Sequence, residues 1–78
     1  MAGRPAEKYR VISDVPGGAL VEGPFRGQGE LKAYMRRWLP TLRGAYKGQT
    51  IDVTTEVFDR ETLRWRRHDF TRVKGDPK

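Results

Sequence analysis

The chain has 78 residues, a third of them charged and a tenth aromatic, with 16 basic against 10 acidic side chains and a net charge of +6. That length makes one domain with a small core, and the lack of cysteine excludes a disulfide framework and a thiolate metal site. No apolar run approaches the roughly 20 residues of a membrane helix, and the first eight residues lack the apolar stretch of a secretory signal, so a cytoplasmic protein without membrane contact is expected.

Residues 1–8 read as a flexible arm. In Tyr9–Val15 the alternation of Tyr9, Val11 and Val15 against Arg10 and Asp14 has the period of a half-buried strand. Pro16-Gly17 suits the central positions of a type II turn, since proline presets φ and glycine accepts a positive one. Ala19–Glu22 is the return strand of a first hairpin, and Gly23-Pro24 is expected to end it because proline donates nothing to a ladder.

The spacing predicts an amphipathic helix from Gln28 to about Leu39, with Leu31, Tyr34, Met35, Trp38 and Leu42 on one face. Pro40 conflicts with an unbroken helix, so a kink or a second short turn ended by Gly44 or Gly48 is expected. Gln49–Phe58 is the clearest strand, placing Ile51, Val53 and Val57 opposite Asp52, Thr54 and Glu56. A loop at Asp59–Glu61 then leads into a strand from Thr62 to Val73, with Leu63 and Trp65 on one face and Arg64, Arg66, His68, Phe70 and Arg72 on the other. Arg67 and Asp69 spoil that alternation, which requires either a β-bulge or a strand that outruns the core. Residues 74–78 read as a flexible tail, leaving a single domain at 9–73.

The fold expected is α+β, in the order ββαββ: an antiparallel sheet of about four strands with one Pro-kinked helix packed on one face. Trp38 and Trp65 are expected to anchor the core from the two sides of that interface. The other sheet face has no helix left to cover it.

Charge is placed unevenly over these elements. Residues 1–30 are neutral, with four basic and four acidic side chains, whereas residues 31–78 carry twelve basic and six acidic ones. Such asymmetry points to an anionic partner, most often nucleic acid. The 11:5 ratio of arginine to lysine fits either phosphate recognition or a GC-rich genome.

Two basic patches emerge. One is the ladder of Arg64, Arg66, His68, Phe70 and Arg72 beside Phe58, where guanidinium groups suit phosphate and a ring between them suits a base. The bland reading is a solvated face neutralised across the hairpin, Glu56 facing Arg64 or Arg66 according to loop length. The other patch is the helix flank of Lys32, Arg36, Arg43 and Lys47, where like charges a turn apart repel without a ligand. The helix lies on one sheet face and the ladder on the other, so the two are alternatives rather than one site.

Catalysis has no signature. Gly23–Glu30 matches neither a P-loop nor a dinucleotide fingerprint, and Glu30 would repel phosphate; a flexible connection is expected there. His68 is the only histidine, set among arginines that oppose a metal ion, and Ser13, the only serine, has no triad partner in view. No metal and no cofactor is expected.

These features predict a small non-enzymatic basic binding module that engages DNA, RNA or a nucleoprotein complex by electrostatic docking. Arg64, Arg66, Arg67 and Arg72 would carry it, with Phe70 for stacking or apolar contact and Lys32, Arg36, Arg43 and Lys47 as the second patch. The alternative is a protein-interaction module, an inhibitor or adaptor such as a phage-type accessory protein, acting as a monomer or homodimer through the bare face or a strand edge.

Overall fold

Runs of alternating β-branched and polar residues build four strands around one helix in a computed structural model that describes residues 7–78. The elements are β1 (Lys8–Val15), β2 (Gly18–Arg26), α1 (Gly27–Ala45), β3 (Thr50–Asp59) and β4 (Arg64–Lys74). The strands form one antiparallel sheet in the order β2-β1-β3-β4, and α1 packs against one face of it. The expected ββαββ architecture is the observed one. No helix among the described residues is long and apolar enough to cross a membrane.

The core lies between α1 and the odd-numbered side of the two central strands. Tyr9, Val11, Ile51 and Val53 are buried there with Val73 of β4, and Leu31 and Leu42 close over them from the helix. Tyr34, Met35 and Trp38 pack at the margin, as the helical spacing requires, with Leu39 beside them. Ser13 is buried in this apolar layer without penalty, because Trp38 Nε1–H donates to its Oγ at 2.9 Å and satisfies both groups.

The first hairpin turns at Pro16-Gly17, where Val15 pairs with Gly18 and Gly17 has a φ of +93°, as a type II turn demands of its second central residue. Beyond it, β2 does not stop at Gly23-Pro24 but continues to Arg26, with a shift of register opposite Tyr9–Val11. The correction has a simple cause: β2 is an edge strand, and a proline there can turn its donor-less nitrogen away from the ladder. Phe25 is thereby brought onto Tyr34, ring centroids 4.7 Å apart. The connection expected from Gly23 to Glu30 is therefore strand and helix with no loop between them. Glu30 Oε2 accepts the Arg26 N–H at 3.3 Å, an acidic side chain of the first turn reaching back to the helix start.

Helix α1 likewise runs past its expected end at Leu39, through Pro40 to Ala45. Pro40 sits on the exposed side, so the Arg36 carbonyl that loses its helical partner there is open to solvent. After the helix, Gly75 N–H donates to the Gln49 carbonyl at 2.7 Å, Asp76 N–H to the Arg43 carbonyl at 3.0 Å, and Gly48 N–H to the Asp76 carbonyl at 2.8 Å. These bonds tie the segment after β4 to the end of α1. A side chain at Gly75 would collide with the Tyr46 carbonyl, so this clasp requires glycine. At the other end, Lys8 opens β1, and Glu7 accepts the Gly27 N–H at 2.8 Å and, through Oε2, the Tyr9 hydroxyl at 2.6 Å. Of the flexible arm expected at residues 1–8, Lys8 instead belongs to β1, and residues 1–6 lie outside the described residues.

The β3–β4 turn is four residues, 60–63, between the paired Asp59 and Arg64. Neither loop length considered from the sequence gives this register: Glu56 faces Arg67, and Asp52 faces Arg72. Leu63, expected on the apolar face, belongs to the turn with a φ of +58° and a side chain 72 % exposed. Replacing Leu42, which is fully buried, by Ala is expected to lower unfolding free energy by about 2–5 kcal/mol. Leu63→Ala should stay within about 0.5 kcal/mol in the same urea titration.

Candidate functional site

Strand β4 carries most of the chemistry, and a bulge decides which way each side chain faces. Its register runs evenly from Ile51–Val73 to Thr55–Asp69, then jumps to Glu56–Arg67, leaving His68 as the extra residue. The alternation reverses there. Phe70 and Arg72 share the helix-free face with Arg67 and Trp65, whereas Arg64, Arg66 and His68 turn to the side of α1. The predicted ladder is thus split in two, because an inserted residue moves every later side chain to the opposite face.

On the open face the arginines are stacked on rings. The Arg10 guanidinium lies 4.4 Å from the Trp65 ring centre while its Nε donates to Glu56 Oε1 at 2.6 Å. Phe58 meets Trp65 edge-on at 5.3 Å. Trp65 is therefore a half-buried element of the open face and not a core anchor. Phe70 lies beyond it, flanked by Arg67 at 5.6 Å and Arg72 at 5.9 Å from the ring centre. Arg72 donates to Asp52 Oδ1 at 2.9 Å, but Arg67 makes no ion pair among the described residues. Arg10 lies close over Trp65, whereas Arg67 and Arg72 stand farther out over Phe70, whose side chain stays 40 % exposed. Arg10 and Trp65 were missed from the sequence. Arg10 stands far from the Arg-rich segment, and only the pairing of β1 with β3 brings it across the sheet.

On the helix side, Lys32 and Arg36 border a groove of about 340 Å³ between α1 and β4. Leu31, Met35 and Leu39 line it from the helix, and Thr71 and His68 from the strand. The His68 ring meets Tyr9 edge-on at 5.0 Å. The helix flank and part of the ladder thus stand on one side of the sheet, contrary to the expectation that they point apart. Arg43 and Lys47 are not part of this groove. They lie at the far end of α1, where the Arg43 carbonyl takes the Asp76 N–H.

A second concavity of about 700 Å³ beside the β3–β4 turn mixes the carboxylates of Glu7, Asp59 and Glu61 with Arg66 and His68. Mixed signs give it no preference for an anion. Among the described residues no cluster of three or more His, Cys, Asp or Glu side chains is placed to hold a metal ion.

Three groups have displaced pKa values. Glu7 accepts the Tyr9 hydroxyl and burial adds to the effect, raising that phenol above its ordinary 10.0. Burial, with the Glu22 charge nearby, raises Tyr34 above the same value. Asp59 moves the other way, held below its ordinary 3.8 chiefly by the Glu61 N–H, then by the Thr62 N–H and the Arg66 charge. Its Oδ1 accepts Glu61 N–H at 2.9 Å, and its Oδ2 lies 3.2 Å from Arg66 Nε.

The chain matches no family model, no curated protein and no solved structure.

Because the carboxyl pKa of Asp59 is depressed on folding, its contribution to the turn is complete above its unfolded value of 3.8 and is lost as pH falls through the lower folded value. Acid unfolding followed by circular dichroism should show this loss below about pH 4. Asp59→Asn should flatten that part of the profile. An unchanged profile would remove the assigned role.

Proposed function

We propose that this chain is a non-enzymatic module that binds single-stranded nucleic acid on the helix-free face of its sheet. One observation carries the reading: the exposed Phe70 ring has the Arg67 and Arg72 guanidinium groups over it, 5.6 and 5.9 Å from its centre. A base stacks on such a ring whatever its identity, and the flanking cations meet the phosphates on either side. A ring lying on a sheet reaches only a base that is already out of its own stack, which favours single strands over duplexes.

The charge arrangement supports electrostatic docking. Arg72 and Arg10 are partly compensated by Asp52 and Glu56, leaving Arg67 as the uncompensated cation nearest Phe70. Arg64, Arg66, Lys32, Arg36, Arg43 and Lys47 lie away from the ring and add long-range attraction, consistent with the net charge of +6. Binding of this kind is largely independent of sequence, since phosphates and ring faces carry little base information. A cytoplasmic location belongs to the same reading.

Fluorescence anisotropy with labelled oligo-dT, oligo-U and a duplex, at about 50 and 200 mM salt, tests it. The single strands should bind more tightly than the duplex and lose affinity steeply with salt. Phe70→Ala should cost about 1–3 kcal/mol of binding, and Arg67→Glu should both weaken binding and flatten the salt dependence. Because both side chains are exposed, the fold should survive, as a thermal melt would verify. Equal binding by wild type and both variants would end the proposal.

A further inference from the structure

The groove between α1 and β4 lies on the opposite side of the sheet from Phe70 and has different chemistry. We infer that it is a docking site for an acidic segment of a partner protein, which inserts an aliphatic side chain between Met35, Leu39 and Thr71.

Three features lead to that occupant. The helix wall is aliphatic and soft: Leu31, Met35 and Leu39 offer branched carbons and a thioether, and methionine adapts to the shape of an incoming side chain. Among the described residues the only ring lining the groove, His68, is already engaged edge-on by Tyr9, so the groove suits an aliphatic group better than a stacked base. The rim is cationic. Lys32 and Arg36 make no ion pair among the described residues, and the one carboxylate near them, Asp69, accepts the Phe70 N–H at 2.8 Å through Oδ1. An apolar side chain flanked by carboxylates complements that wall and rim together.

A second copy of the chain does not. Two β4 edges brought together would set Arg64, Arg66, Arg67, Arg72 and Lys74 against the same cations, and the Asp69 carboxylate already occupies the Phe70 N–H. The partner must therefore bring negative charge. At about 340 Å³ the groove takes one or two large side chains, the scale of an anchoring residue and not of a whole interface.

The test is a nuclear magnetic resonance titration of the labelled full chain with three synthetic peptides. One has two leucines flanked by glutamates, one has serines in place of the leucines, and one has lysines in place of the glutamates. Laurate and oligo-dT complete the set. The acidic leucine peptide should shift the amides of Leu31, Met35, Leu39 and Thr71 and leave the ring protons of Phe70, on the other face, unmoved. Lys32→Glu with Arg36→Glu should weaken it about tenfold or more. Thr71→Trp, which fills the groove without removing a core atom, should block the peptide while oligo-dT still binds the other face. The inference is overturned if no peptide shifts these amides, or if the serine or lysine peptide binds as well as the acidic leucine one. It is overturned equally if laurate or oligo-dT is the ligand that shifts them most. Apart from an oligo-dT shift at these amides, which would count against both sites, these outcomes do not bear on Phe70, so the two sites can fail separately.

Discussion

One helix can keep only one face of a four-stranded sheet dry, and the rest of this structure follows from that constraint. The central strands β1 and β3 bury alternate side chains against α1, and the sheet must find another way to hold those of its other face. On the open face the solution is to set arginine guanidinium groups over aromatic rings. Arg10 over Trp65 and Arg67 and Arg72 around Phe70 shield apolar surface with their planar ends while the charges stay at the water boundary. Carboxylates of β3 hold two of these arginines in position. The same arrangement that makes a bare face tolerable therefore makes it basic and aromatic, which is what a strand of nucleic acid would use.

The bulge at His68 divides the basic segment between two surfaces. Had β4 kept a regular period, Arg64, Arg66, Phe70 and Arg72 would form a single row, and the groove beside α1 would lose His68 from its end. The insertion exchanges one long ladder for two short patches of different character, an aromatic one outside and an aliphatic one inside. It also puts a kink and unpaired charge on an exposed edge, which discourages pairing between copies.

Strand periodicity and the helical stripe were legible in the sequence wherever a residue type has one destination. Tyr9, Val11, Ile51 and Val53 alternate with polar neighbours, and Leu31, Met35 and Leu42 recur at helical spacing, so the element order and the buried layer followed directly. Trp65 was placed in the core because a large ring usually goes there; nothing local shows that Arg10, fifty-five residues earlier, would supply a flat cover for it. The sequence predicts a strand end at Pro24 and a kink or a second short turn at Pro40, because proline normally interrupts a hydrogen-bond ladder. At the edge of a sheet and on the wet side of a helix that cost is small, and edge and wet side are properties of the assembled fold. The sequence signalled the bulge through Arg67 and Asp69, but not the position of the extra residue, and that position sets which candidate site residues stand together.

Both proposed surfaces belong to β4, which is held by β3 on one side only and contributes a single buried hydrophobic residue, Val73. A strand anchored in this way opens more readily than the central pair β1 and β3. Any ligand that needs β4 in place, on either face, must meet the cost of keeping it there. Once one ligand has done so, that cost is lower for the other, with no change of shape and no contact between them. Thermodynamic linkage would then make the assistance mutual: if both faces bind as proposed, each ligand would sense the other through the strand they share.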